Sequence, residues 1–488
     1  MLFNSFQFLL FFPIVTVLYF LLPHKLRWFH LLVASCVFYM AFIPVYILIL
    51  LLTIIIDYIA GIMIENVEGN KRKAFLVMSI VANVGVLAFF KYYNFFASNI
   101  DELFHLVHTQ VNIPLLKIIL PIGLSFHTFQ AMSYAIEVYR GHQKAERHFG
   151  IYSLYVMFYP QLVAGPIERP QNLLHQFREH HKLEYDNVAI GLRLMLWGMI
   201  KKVVIADRLY IITDPVFNHP REYSGITLAI GAVFFAFQIF CDFSGYSDIA
   251  IGAARVMGFK LMTNFNKPYH ARSISEFWKR WHISLSTWFK DYLYISLGGN
   301  RVTIPRMYFN LFFVFLVSGF WHGANWTFII WGMLHGFYSI FAMLTKGSRK
   351  KLSEQTGISK IYWFNNMLDV FITFVLVTFA WIFFRANNIH DAFFIVKKLG
   401  AIPHEIALVV KTHKIAFLNL PGLLNTLLPC LGLVVFLELA HIIQVKYNLP
   451  DTFSKRPALF RWTLYYSALA ALIYLGVYEK HQFIYFQF

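Results

Sequence analysis

The sequence predicts an all-α polytopic membrane protein, on three observations. Of 488 residues, 58% are hydrophobic and only 14% are charged, where an ordinary soluble protein carries about 25% charged residues. Mean hydropathy is +0.56. Nine runs, at 6–22, 28–56, 74–90, 118–136, 149–167, 223–241, 307–345, 415–437 and 462–478, contain no Asp, Glu, Lys or Arg, and a spanning helix needs about 20 mostly apolar residues. Too few charges remain to coat a water-soluble globule, so a string of soluble domains is excluded, as are intrinsic disorder and collagen-like structure. The runs are continuous rather than alternating, which argues against a barrel.

Taken in order, the chain opens on Met1–Gln7, which carries no Lys or Arg. No small-residue cleavage site follows, so a retained anchor is expected rather than a signal peptide. The runs 28–56 and 307–345 are long enough for two passes, or for a pass plus a re-entrant segment, and Pro44 sits where the first could break. Weaker segments near 188–205 and 368–384 bring the expected total to roughly 10–13 membrane helices. Residues 1–488 then form one integral-membrane domain with no separate soluble domain. Cys36, Cys241 and Cys430 lie in apolar runs at unrelated spacings, which speaks against a disulfide framework or a zinc site.

The net charge of +17 would suggest nucleic acid in a soluble protein. Here the positive-inside rule explains it, and no nucleic-acid partner is expected. Lys25 and Arg27 follow the first span, Lys71–Lys73 the third, and Arg140, Lys144 and Arg147 the fifth, while the intervening loops are poor in Lys and Arg. The alternation fits an N-terminus outside and these loops in the cytoplasm.

The longest polar stretch, 257–306, holds Lys260, Lys267, Arg272, Lys279, Arg280, Lys290, Arg301 and Arg306 among Trp278, Trp281, Trp288 and other aromatics. One reading is an interfacial segment in contact with membrane lipid. The other is a basic mouth for an anionic acyl donor, with Lys279, Arg280 and Lys290 as donor-binding residues.

An ionisable residue within a span is a functional candidate, because burying it is costly. His322 lies in Ser318-Gly-Phe-Trp-His-Gly-Ala-Asn-Trp326. A neutral imidazole there can take the proton of a hydroxyl attacking an acyl carbon; it can equally hydrogen-bond between helices as structural glue. His282 alone reads as an interfacial histidine, and His335 and His127 as packing or hydrogen-bonding residues. Asp242 and Asp248 read as ion-pair members, with Arg255, Lys260 or the basic segment as partners.

His181-Lys-Leu-Glu-Tyr-Asp186 has a His-x4-Asp spacing suited to a charge-oriented base, but it lies in a polar loop without supporting flanks. No Gly-x-Ser-x-Gly elbow, Walker loop or His-Glu-x-x-His site is present. His105 and His108 lack acidic or Cys companions, so neither a metal nor a bound cofactor is expected. A transporter or flippase without covalent chemistry, with His322 and Asp242 as a proton relay, is the competing functional class.

Eleven blocks in order carry a resemblance: Leu2–Phe8, Pro121–Phe126, Val138–Gly141, Gln161–Ile167, Asp242–Asp248, Asn264–Tyr269, Phe277–Ser286, Asp291–Tyr294, Gly298–Arg301, Gly319–Trp326 and Phe483–Phe488. Together they make the chain resemble the membrane-bound O-acyltransferase (MBOAT) family, in its bacterial branch of alginate and peptidoglycan O-acetyltransferases. The resemblance implies helices around a central funnel, with re-entrant helices at the active site. It implies His322 as the catalytic histidine and His282 as its polar partner, able to orient the donor or stabilise the oxyanion. By the same resemblance, acyl groups, most simply acetyl from acetyl-CoA, arrive from the cytoplasm at a bacterial inner membrane. They leave toward an extracytoplasmic SGNH-hydrolase-type partner and a polysaccharide, alginate-like or peptidoglycan.

Overall fold

The computed structural model describes residues 1–109, 113–117, 120–413, 422–446, 452–478 and 483–484. Residues 118–119 and 415–421 of two expected apolar runs, and 485–488 of the C-terminal block, lie outside the described residues.

Among the described residues every regular element is helical. Helix α1 (Phe6–Leu21) starts where the Ser5 hydroxyl caps Phe8 N–H. α2 (His24–Met40) and α3 (Ile47–Asn66) divide the expected 28–56 run at a 3-10 turn over Pro44–Tyr46, since the proline ring cannot continue the preceding helix. α4 (Gly69–Leu106) is the longest helix, at 38 residues. α5 (Leu124–Arg140) runs between left-handed Gly123 and Gly141. The 149–167 run forms no single span: it breaks into α6 (Phe149–Met157) and α7 (Tyr159–Leu162) at Phe158-Tyr159-Pro160, and both pieces are buried. After α8 (Pro170–Leu173), α9 (Tyr185–Met199) continues through a π-helical stretch, Ile200–Ala206, into α10 (Asp207–Asn218).

α11 (Gly225–Val256) is the axis of the molecule: 78% of its most apolar window is buried inside the protein, against 17% for α4. One buried cluster, around α1 to α6, takes Phe243 and Tyr246 from α11. The other, around α10 and later helices, takes Phe234 to Cys241. α12 (Ile274–Arg280) and α13 (Ile283–Trp288) are short. α14 (Ile304–His322) and α15 (Trp326–Leu344) form a hairpin whose second limb is capped by Asn325. A Cβ on Gly319 would lie 2.4 Å from the Phe328 carbonyl oxygen, and one on Gly332 2.4 Å from that of Phe315, so only glycine permits this backbone contact. α16 (Lys346–Gln355), α17 (Tyr362–Arg385), α18 (Ile389–Leu399), α19 (Ile402–Thr412), α20 (Leu428–Lys446) and α21 (Ala458–Leu475) follow.

Eight of these segments are long and apolar enough to cross a membrane, and α1 is apolar but shorter. The expected ten to thirteen counted stretches that fold as helices of 17 residues or fewer, such as α2 and α5. Exposed Leu, Ile and Phe cover the outer helices, the surface that hydrocarbon solvates. The chain is a multi-pass membrane protein.

The basic loops meet on one face. The Arg72 guanidinium donates to the Tyr139 carbonyl at 2.7 Å, and Arg140 donates to the Asp291 carbonyl at 3.0 Å. Arg27 donates to the His181 carbonyl at 2.6 Å, and the His181 ring packs 4.6 Å from Phe259.

Candidate active site

The 257–306 segment turns its aromatic rings inward rather than to a headgroup layer. Phe277, Trp281 and Trp288 are buried, while Lys279 and Lys290 are exposed. Trp281 packs 5.0 Å from Trp381, and the Trp288 indole N–H donates to the Phe129 carbonyl at 2.9 Å. These interior partners outcompete the interface for the rings.

His282 is wholly buried in this segment and adopts φ 42°. A non-glycine residue persists there only when its surroundings fix it. Asn264 provides that fixing: its carbonyl accepts from Ile283 N–H at 2.9 Å, and its side-chain oxygen accepts from the Ser284 hydroxyl at 2.9 Å. The His282 Nδ1 in turn accepts from Leu285 N–H at 3.2 Å, capping α13. Its ring lies against Phe126 and Phe243.

His322 is the last of the 19 residues of α14, about 27 Å along the axis from its start at 1.5 Å per residue. Its ring is enclosed by Trp321, Trp331 and Phe384, with centroids at 4.8, 4.9 and 5.3 Å. His282, Lys91 and His335 are near enough to act on it electrostatically. His322 lines a cavity of about 40 Å³ together with Lys91, Val163, Trp321 and the stretch 120–126. Gly123 holds the cavity wall in place: with φ 78°, it brings its Cα where a Cβ would lie 2.7 Å from the Leu162 carbonyl oxygen. Among the described residues Ser125 carries the one hydroxyl side chain on that wall, and no cysteine lines it.

Lys91 is the residue that sequence reasoning missed. Its ammonium donates to the carbonyls of Trp321 at 2.7 Å and His322 at 2.9 Å. Among the described residues no carboxylate lies within ion-pair distance of it. The available signal was a lysine after the uncharged 74–90 run, within a helix that continues to Leu106.

The other candidates separate from this cavity. Arg280 pairs with Glu276 at 2.6 Å, whereas Lys290 pairs with Asp291 at 3.2 Å, beside Arg169. Lys279 is exposed and joins no ion pair among the described residues. His181 bonds the Gln176 carbonyl at 2.9 Å rather than Asp186, and burial lowers its imidazole pKa. His335 accepts from the Trp278 indole at 3.3 Å, and His127 meets the Thr53 hydroxyl at 2.6 Å, both as expected of packing residues. Asp242 and Asp248 are ion-paired as expected, but with other partners: Lys202 at 2.7 Å and Lys201 at 2.7 Å. Arg255, Lys260 and the basic segment are displaced because the π-helical stretch turns two successive lysines toward α11.

The family model described as MBOAT, membrane-bound O-acyltransferase family, matches residues 142–386. The probable alginate O-acetylase AlgI of Pseudomonas aeruginosa is 40% identical over 395 residues, covering 80% of this chain and 73% of that one. The peptidoglycan O-acetyltransferase of Helicobacter pylori is 37% identical over 395 residues, 75% of this chain and 72% of that one. The teichoic acid D-alanyltransferase of Bacillus subtilis is 27% identical over 303 residues, 58% of this chain and 73% of that one.

Proposed function

The chain belongs to the membrane-bound O-acyltransferase family, and from that premise we propose that it carries acetyl groups from a cytoplasmic thioester, acetyl-CoA being the simplest, toward hydroxyls of an extracytoplasmic polysaccharide. The named relatives act on alginate, peptidoglycan and teichoic acid; an alginate-like exopolysaccharide or peptidoglycan is the proposed acceptor class. An SGNH-hydrolase-type protein outside the membrane takes the acetyl group onward. Residues 1–488 act as one membrane domain of the bacterial inner membrane with the N-terminus outside, a reading supported by α11 contributing to both buried clusters and by the convergence of the basic loops.

The observation that carries this reading is His322 on a cavity wall beside the Lys91 ammonium. The imidazole takes the acceptor hydroxyl's proton as its oxygen bonds to the acyl carbon. The carbonyl π electrons move onto oxygen, and an oxyanion forms. Lys91, already held by two carbonyls, has a third N–H to offer that oxyanion. Collapse breaks the carbon–sulfur bond, and the thiolate leaves with the proton from His322. His282, buried and locked in its turn, orients the donor side. Lys279, Arg280 and Lys290 attract the donor's phosphates from the basic face.

The relay reading loses one of its two groups, since Asp242 is held by Lys202 and by Ile484 N–H at 2.8 Å. The test is acetyl transfer by purified protein from labelled acetyl-CoA to a hydroxyl acceptor. Transport of the intact acceptor with no labelled ester formed would overturn the proposal.

A further inference from the structure

A loop and a distant span bring three ligand-type side chains together, away from the His322 cavity. His270 ends the 3-10 turn Pro268–His270, which follows Lys267 at φ 47°. Glu438 and His441 are three residues apart on α20 and so share a face. The His270 Nε2 lies 2.6 Å from one carboxylate oxygen of Glu438, and the His441 Nδ1 lies 3.6 Å from the other. All three ligand atoms fall within 4.8 Å of one another.

His270 and Glu438 form a close pair, whereas His441 reaches the other carboxylate oxygen only at long ion-pair range. The His441 side chain is 5% exposed, and its Nδ1 has no hydrogen-bond partner among the described residues. A buried polar atom aimed at a carboxylate from beyond hydrogen-bond distance lacks something between them.

We propose that His270, Glu438 and His441 bind a zinc-class divalent cation. Two imidazoles and a carboxylate, with a fourth position left to water, are a donor set that zinc accepts. Metal–ligand distances of about 2.0–2.2 Å place tetrahedral ligand atoms about 3.3–3.6 Å apart. The His441–Glu438 separation already fits. The 2.6 Å His270–Glu438 contact opens by about 0.7–1.0 Å as the metal replaces the proton shared there, and that proton passes to solvent. Partial exposure of His270 and Glu438 gives the ion a way in. Asp248, close enough to act on His441 electrostatically, is itself neutralised by Lys201, and the Lys267 ammonium acts on Glu438, so the ligand atoms rather than surrounding charge carry the site. The bound ion staples the segment carrying His282 to a span 168 residues further along the chain.

The experiment uses the full chain, purified in detergent without a polyhistidine tag, stripped with EDTA and titrated with Zn²⁺ or Co²⁺ alone. One zinc retained per chain after desalting, with the intense visible absorption of four-coordinate cobalt, is expected. His441→Ala and Glu438→Gln should each weaken binding at least tenfold, while His404→Ala, at an exposed position, should not. Failure of the unmodified chain to retain zinc overturns the proposal without reference to any variant. Retention undiminished in both His441→Ala and Glu438→Gln overturns it equally.

Discussion

The Lys91 ammonium donates to the His322 carbonyl at 2.9 Å, joining residues 231 positions apart. It also binds the Trp321 carbonyl, and both oxygens belong to the end of α14, where helix carbonyls lack internal partners. Lys91 therefore holds the backbone that carries the imidazole while its charge faces the same cavity. Lys91→Met should lower kcat about a hundredfold or more, the usual cost of losing an oxyanion donor, with little change in donor KM. Lys91→Gln separates the two roles, because an amide can still bond the carbonyls but has no charge. It should match Lys91→Met in kcat and stay near the unmodified protein in thermal stability. Near-normal turnover in Lys91→Gln would reduce Lys91 to a structural clamp.

General-base catalysis contributes about 10²–10⁴-fold, so His322→Ala should lose that much acyl transfer while inserting normally. His322→Gln should be almost as inactive, since an amide cannot take the proton. His282→Ala should fall between His322→Ala and the unmodified protein, and His335→Ala should be milder, with any defect tracking abundance. His181→Ala and Ser125→Ala should stay close to normal; a trapped acyl-enzyme lost in Ser125→Ala would replace direct transfer with a two-step route.

At the basic face, a Lys279→Gln/Arg280→Gln double variant should raise apparent KM for acetyl-CoA more than it lowers kcat. Arg280 is already paired with Glu276, so exposed Lys279 should account for most of the change. Added salt should reproduce it by screening. An unchanged KM in the double variant would remove Lys279 and Arg280 from donor binding.

Glu168, in the loop between α7 and α8, is wholly buried, and its carboxylate accepts from Met262 N–H at 2.5 Å. Burial outweighs that hydrogen bond and pushes the carboxyl from 4.5 up to about 7. Between those values the folded protein holds a proton that the unfolded chain releases, so stability falls as pH rises from about 4.5 to 7. Glu168→Gln should flatten that slope in detergent melts and gain most over the unmodified protein at pH 8. A slope retained in the variant would place the titration elsewhere.

Impermeant thiol reagents applied outside the cell should miss Asn70→Cys and Asn300→Cys in a cysteine-free background, because basic loops stay in the cytoplasm. Efficient labelling of either would reverse the orientation.

The spans were legible because a lipid-facing surface leaves long uncharged runs, and Pro44 marked where one of them breaks. The 149–167 run misled for the same reason: a segment buried within protein is as apolar as one facing lipid, and only Pro160 hinted at its short pieces. His322 and His282 stood out as polar residues in apolar or aromatic surroundings. Lys91 did not, because a lysine after an uncharged run looks like the edge of a span, and its carbonyl partners are contributed by a helix that begins over two hundred residues later. The pairing of Lys201 and Lys202 with Asp248 and Asp242 was hidden too, since it depends on a local change of helical pitch that no residue pattern announced.

The glycine contact between α14 and α15 constrains how this protein can recover from mutation. An alanine at position 319 or 332 collides with a main-chain oxygen, not with a side chain that another substitution could shorten. Truncating a neighbour therefore cannot relieve it. In a selection for restored activity from Gly319→Ala, second-site suppressors should be scarce among residues touching the hairpin, and survivors should be dominated by reversion at codon 319 itself.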